Sequence, residues 1–96
     1  GALAWVTIVN ETNYAVEQII VVPARNGDWS NGNTALSGRE SIFDGEDYRL
    51  EVDVDAYDTF VYDIMLIDED GDRYIKWDVN LEIISEIVYT LDDLEL

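Results

Sequence analysis

Residues 60–78 read F-V-Y-D-I-M-L-I-D-E-D-G-D-R-Y-I-K-W-D, and this stretch decides the fold class. In residues 60–67, apolar side chains occupy both the odd and the even positions, with a single Asp among them. This pattern is typical of a central strand that is covered on both faces. Asp70-Gly71 is a favoured pair for a two-residue type I′ turn, and residues 73–77 then return the chain as a second strand. The stretch therefore predicts a β-hairpin.

The segments on either side of the hairpin also have the patterns of strands. Residues 48–55 read Y-R-L-E-V-D-V-D, which predicts a strand with one buried and one solvated face. Residues 5–10 and 17–22 are rich in β-branched residues and end at turn residues, and we expect these two strands to be neighbours. Residues 80–96 fit both a helical stripe and a strand, and their β-branched residues favour a short turn near 80–85 and then a strand. We predict strands near 5–10, 17–22, 47–54, 60–67, 72–78 and 86–91, with Leu50, Val52, Ile64 and Leu66 buried.

The length and composition of the chain limit its possible architectures. A chain of 96 residues can bury most of one hydrophobic core, so residues 1–96 are expected to form a single domain. A hydrophobic content of 48%, of which aromatic residues are a large part, is too high for a disordered acidic tail. Six or seven short strands predict an all-β fold, either an antiparallel, immunoglobulin-like β-sandwich or a related small barrel. The chain has no Cys, so it lacks the disulfide of antibody domains.

The charge balance limits the classes of partner. The chain has 22 acidic and 5 basic residues, for a formal net charge of −17. We expect no nucleic-acid partner, because a phosphate backbone is bound by clustered Lys and Arg, and the charge disfavours an anionic membrane surface for the same reason. No apolar run reaches the ~18 residues of a membrane span. The charge favours cations and basic partners, including a protein or cell-surface partner whose identity the sequence does not give.

Two aromatic residues are candidates for ligand binding. Residues 24–38 are rich in Asn, Gly, Ser and Asp and form a long predicted loop that contains Trp29. Trp29 and Tyr57 are the plausible platform for a carbohydrate, because exposed aromatic rings stack on sugar faces. The alternative role for Trp29 is to pin the loop to the domain. The aromatic residues on predicted strands are expected in the core or at its rim: Trp5, Tyr48, Tyr62 and Trp77.

The acidic hairpin turn is the candidate metal site. Asp68, Asp70 and Asp72 could offer carboxylates to one Ca²⁺, which prefers six to eight oxygen ligands. The spacing does not match an EF-hand loop. The alternative is a hairpin turn alone, because Asp-Gly is turn chemistry and acids keep a turn in water. Two other acidic sets are better explained by a solvated strand face and by a loop: Asp53, Asp55 and Asp58, and Asp44, Glu46 and Asp47.

Catalysis is strongly limited by composition. The chain has no His and no Cys, which removes the commonest general base, the thiol nucleophile and the usual zinc ligands. A carboxylate pair of the glycosidase kind remains, but it needs a cleft that a domain of this size hardly builds. We therefore expect no enzyme and no obligatory cofactor, with a carboxylate-based hydrolase as the third hypothesis.

Several short motifs resemble one group of proteins. Asn10-x-Thr12, Asp68-x-Asp70-Gly71 and the run 78–81 (D-V-N-L) are similar to motifs of small exported bacterial β-sandwich domains of unknown function. The resemblance spans roughly residues 6–90 and implies an immunoglobulin-like fold in a secreted or periplasmic protein. Ala-Leu-Ala at residues 2–4 has the small-x-small form of a signal-peptidase site. The sequence thus predicts a non-enzymatic exported binding or structural module with a weak Ca²⁺ site, or alternatively a small carbohydrate-binding module.

Overall fold

The computed structural model describes residues 2–34, 36 and 38–96. Part of the predicted loop 24–38 therefore lies outside the described residues. Two 3₁₀ turns cover Trp29–Asn31 and Leu91–Asp93, and in the described part of the chain no helix is long and apolar enough to cross a membrane. The strands are β1 (Leu3–Glu11), β2 (Val16–Pro23), β3 (Asn33–Thr34), β4 (Asp47–Asp53), β5 (Val61–Asp68), β6 (Arg73–Asn80), β7 (Glu86–Thr90) and β8 (Leu94–Glu95).

The strands form two sheets that pack face to face. One sheet has the order β4-β1-β7 and the other the order β3-β2-β5-β6-β8. All neighbouring strands are antiparallel except β1 and β7, which are parallel. The inward side chains of both sheets form one hydrophobic cluster. The Tyr89 hydroxyl on β7 donates a 2.8 Å hydrogen bond to the Ile64 carbonyl on β5, which joins the two sheets through the core.

The sequence patterns predicted the main strands correctly. All six predicted strands are present, and Leu50, Val52, Ile64 and Leu66 are buried as expected. The two-residue strands β3 and β8 were not predicted, because such short pairings leave no periodic pattern in the sequence. The turn predicted near 80–85 is present, and β7 follows it.

The expected pairing of the first two strands is wrong. β1 and β2 lie in different sheets, and the connection between them crosses from one sheet to the other. The buried Asn10 side chain fixes this crossing, since its amide nitrogen donates to the carbonyls of Tyr14 and Ile42. Its oxygen accepts hydrogen bonds from the Thr12 backbone nitrogen and hydroxyl. The chain is therefore turned out of the β1 sheet before a hairpin can form.

The predicted type I′ turn is also wrong. A type I′ turn needs positive φ at both central residues, and here Gly71 has φ 83° whereas Asp70 is not among the residues with positive φ. Gly71 N donates to Asp68 O, and Asp68 N donates to Asp72 O. This is the pattern of a three-residue loop in which a type I turn is followed by a left-handed Gly.

Trp5 and Trp77 are not in the core. Trp5 points outward from β1, whereas its neighbours Ala4 and Val6 point inward and are buried. The guanidinium carbon of Arg49 lies 3.6 Å from the centroid of the Trp5 ring. Trp77 lies on the outer face of β6 and is 54% exposed. Tyr62 is buried, and Tyr48 packs against the core, as expected for these two.

A second apolar layer covers the outer face of the larger sheet. Val22, Met65 and Ile75 are buried but do not belong to the main core cluster. The segment that carries Trp29 and Gly32 lies on this face, and a Cβ atom at Gly32 would stand 2.3 Å from Ile20 Cγ2 and 2.8 Å from Val22 Cγ1. Gly32 is thus required for close approach rather than for an unusual φ, which is −73°.

The contact at Gly32 leads to a stability prediction. Gly32→Ala forces a methyl group against two stiff β-branched side chains, and overpacking of this kind costs typically about 1–3 kcal/mol. Ile20→Ala removes the nearer methyl group, so the double variant should be less destabilised than the sum of the two single variants. Urea unfolding of the four proteins measures this coupling. Strictly additive free energies would show that the segment does not pack on Ile20.

Candidate functional site

The candidate site is built around a buried acid on the outer face of the larger sheet. Asp63 is 2% exposed and lies where the pairing of β5 and β6 shifts register, between Tyr62 and Ile64. One carboxylate oxygen accepts a 2.8 Å hydrogen bond from Asp78 N, and the other accepts a 3.1 Å hydrogen bond from Arg25 N. A single carboxylate therefore fixes a strand irregularity and the start of the segment that carries Trp29.

The two backbone groups that Asp63 holds belong to residues in an uncommon conformation. Arg25 has φ 64° and Asp78 has φ 52°, both in the left-handed region that favours Gly. Their side chains meet at the surface, where Arg25 Nε lies 3.5 Å from Asp78 Oδ1. Both side chains are largely exposed, so the pair contributes little to stability. Its effect is to present a guanidinium and a carboxylate side by side.

An aromatic pair adjoins this ion pair. The ring centroids of Trp29 and Trp77 are 5.9 Å apart, with an interplanar angle of 63°, which is an edge-to-face arrangement. Trp29 begins a 3₁₀ turn that Asp28 caps by accepting a hydrogen bond from Ser30 N, and the hydrogen bonds from Ser30 lower the pKa of Asp28. Trp29 is half-buried, so it pins the segment while Trp77 stays open to solvent.

Tyr57 lines a groove together with both residues of the ion pair. An open groove of about 520 Å³ is lined by Tyr57, Arg25 and Asp78, together with Pro23, Ala24, Thr59 and Val61. Asp78 also lines a second groove, which contains Trp77. The two predicted ligand-binding residues are thus placed around one charged pair, Tyr57 through the first groove and Trp29 through its contact with Trp77. Aromatic faces beside a few polar groups form a surface suited to a polar ligand.

The acidic hairpin is a separate site. Ligand oxygens of Asp68, Asp70 and Asp72 lie within 4.8 Å of one another, so this group could hold a metal ion. Asp68 is buried, and its carboxylate accepts hydrogen bonds from Asp70 N, Asp72 N and the Tyr74 hydroxyl. Burial and the hydrogen bond to Asp68 raise the pKa of Tyr74 above its ordinary value. Since a carboxylate offers about four lone-pair sites, roughly one remains on Asp68 for an ion.

The other acidic sets act as acceptors for backbone N–H groups. Asp55 accepts a hydrogen bond from Ala2 N, and Asp53 accepts one from Asp55 N. Asp44 accepts a hydrogen bond from Asn13 N, and Glu46 accepts one from Phe43 N while pairing with Arg39. Within the described residues, the hairpin acids are the one group whose carboxylates converge.

Sequence reasoning missed four members of the candidate site. Arg25, Asp63, Trp77 and Asp78 were not among the predicted ligand-binding residues. Asp63 carried a usable signal, because a lone acid in an otherwise apolar central strand must find hydrogen-bond donors when it is buried. Arg25, Trp77 and Asp78 carried none, since their neighbourhood depends on how the segment after β2 folds back over the sheet.

No protein-family model, characterised protein or solved structure matches this chain. The candidate site therefore depends on the geometry alone.

The hydrogen bonds of Asp63 lead to a stability prediction that compares a buried acceptor with an exposed one. Asp63→Ala leaves two partly buried backbone N–H groups without their acceptor, so we expect a loss of about 2–4 kcal/mol in unfolding free energy. Asp55→Ala is the matched control, because it removes an exposed acceptor whose N–H can turn to water. Chemical denaturation of both variants measures the difference. Equal losses would contradict the role of Asp63.

Proposed function

We propose that the protein is a non-enzymatic binding module that takes a carbohydrate on the surface around Trp29 and Trp77. The observation that carries the proposal is the exposed ring of Trp77, which is held against Trp29 beside the Arg25–Asp78 ion pair. An indole face can stack on the C–H face of a sugar, while the carboxylate and guanidinium exchange hydrogen bonds with its hydroxyl groups.

The shape of the surface favours a glycan over a compact metabolite. Both grooves at Asp78 are open, so neither encloses a small molecule on all sides. A sugar chain can lie across an open surface and use several weak contacts in series. Tyr57 is 45% exposed and lines one groove together with Arg25 and Asp78, where it would meet a second sugar unit.

The proposal includes a non-catalytic role and a location outside the cytoplasm. The absence of His and Cys from the chain and the use of many carboxylates as backbone acceptors support the first. The secreted or periplasmic location is supported by the resemblance to exported domains. We take the fold as immunoglobulin-like in architecture, with a connectivity of its own, because strands A and B of immunoglobulin domains share a sheet whereas β1 and β2 do not.

Tryptophan fluorescence tests the carbohydrate proposal. The measurement is titration with soluble hexasaccharides of cellulose, chitin, xylan and starch type, followed by indole emission and by isothermal calorimetry. At least one type should bind, and Trp77→Ala should weaken it about tenfold, which corresponds to roughly 1.4 kcal/mol. Trp5→Ala is the control, since Trp5 is similarly exposed but lies on the opposite sheet. Equal weakening by both variants, or no binding by any type, would contradict the proposal.

A second candidate function is the binding of Ca²⁺ at the hairpin. It is favoured by the convergence of three carboxylates within 4.8 Å. Asp70 and Asp72 are exposed and can turn toward an ion, whereas Asp68 is held by its hydrogen bonds. Water would supply most of the remaining coordination. Such an open site resembles weak extracellular sites, with a dissociation constant on the order of 10⁻⁴ to 10⁻³ M.

The Ca²⁺ site is tested by thermal melts with Ca²⁺ and Mg²⁺ at equal concentration. Saturating Ca²⁺, at 100 times its dissociation constant, should add roughly 2.7 kcal/mol if the ion binds the folded state alone. Asp70→Asn keeps the turn and the backbone bond to Asp68 but removes a charged ligand, so its Ca²⁺ response should fall. Equal shifts with the two ions, or an unchanged response of Asp70→Asn, would show general screening of the charge of −17 instead.

A further inference from the structure

On one side of the sandwich, the outer edges of both sheets lack a full-length neighbouring strand in the described part of the chain. β7 pairs with β1 on one side, and in the described part of the chain it has no partner strand on the other. β6 pairs with β8 at Arg73 and Tyr74, and among the described residues no strand lies beside the rest of its outer edge. A groove of about 310 Å³ runs between these two edges. Edges of this kind are templates for strand pairing.

The backbone of β7 presents hydrogen-bonding groups to this groove. Thr7 N donates a hydrogen bond to Ser85 O in the parallel pairing of β1 and β7. This bond fixes which residues of β7 turn their backbone N–H and C=O groups toward β1. Backbone groups of successive residues in a strand point to opposite edges, so Ile87 and Tyr89 face β1. The N–H and C=O groups of Glu86 and Val88 then face the open edge.

The side chains around the groove are apolar inside and acidic outside. Val79 and Ile87 are buried at its floor, and Ile84 is partly exposed at its rim. Lys76 is the single Lys, and Asp93 pairs with it at 2.8 Å. Glu86 is exposed on the outer side. An added strand would therefore meet apolar side chains on one face and the Glu86 carboxylate on the other.

We propose that this edge binds an extended segment of a basic partner protein, in which aliphatic residues alternate with Lys or Arg. The aliphatic residues would pack on Val79 and Ile87, and the basic residues would lie beside Glu86. The net charge of −17 selects a basic segment and opposes a second copy of this chain. Strand addition supplies main-chain hydrogen bonds, while the alternating side chains supply specificity. The proposal goes beyond carbohydrate binding, since it uses the β7 backbone and not the contact between Trp29 and Trp77, although Trp77 also lines this groove.

The test uses an acetylated and amidated nonapeptide that alternates Lys and Val, at 150 mM NaCl. Titration followed by NMR should shift the amide signals of Glu86 and Val88 and slow their hydrogen exchange. Val88→Pro removes the N–H that faces the groove but keeps those of Ile87 and Tyr89, so the peptide should bind at least tenfold more weakly. Glu51→Pro is the matched control, because Glu51 faces the open edge of β4 in the same way.

A charge variant guards against a folding defect in the proline variant. Glu86→Lys changes an exposed side chain and should also weaken peptide binding, whereas Glu51→Lys should weaken it less. The proposal is overturned if Val88→Pro binds as well as Glu51→Pro, or if the Glu86 and Val88 amides do not respond. It is also overturned if the peptide does not bind and sedimentation shows a dimer that Val88→Pro dissociates, because the occupant is then a second copy.

Discussion

The candidate binding surface depends on one buried carboxylate, that of Asp63. A buried carboxylate is costly unless it accepts hydrogen bonds, and the two N–H groups that satisfy Asp63 come from Arg25 and Asp78. Both residues take positive φ values to bring their N–H groups there. The bulge in β6 and the path of the segment after β2 are therefore two consequences of one constraint. They place Trp29 over Trp77 and leave an ion pair at the surface.

The same use of acids explains much of the acidic composition. Asp44, Asp53, Asp55 and Asp68 each accept a hydrogen bond from a backbone N–H at a turn or a strand end. A chain with many short strands has many ends, and each end leaves polar groups that need partners. Short acidic side chains fill this need and keep the loops in water. Acid content alone is therefore weak evidence for a metal site in this chain.

The sequence predicted the strands well and their arrangement less well. The alternation of apolar and polar residues in 48–55 and the apolar run in 60–67 both reflect which side chains are buried. Burial acts on each strand separately, so each strand can be predicted from its own residues. The pairing of β1 with β4 and β7 depends on which faces meet after the chain crosses between sheets, and no local pattern encodes it. The turn type at Gly71 was missed for a related reason. The sequence Asp-Gly suits two turns, and the buried carboxylate of Asp68, which accepts hydrogen bonds from two turn N–H groups, selects the three-residue loop.

The outer faces of the two sheets differ in what covers them, and this difference decides which face is better suited to ligand binding. The outer face of the larger sheet carries the segment with Trp29 and Gly32, which packs on Ile20 and Val22, and Met65 is also buried on this face outside the main core. Among the residues that the structure describes, no such segment covers the outer face of the smaller sheet, where Arg49 stacks on Trp5. A packed segment holds aromatic side chains in fixed geometry, whereas a lone stacked pair can rearrange. Pre-organised geometry costs less entropy on binding, which is the physical reason to place the ligand surface at Trp77 and not at Trp5.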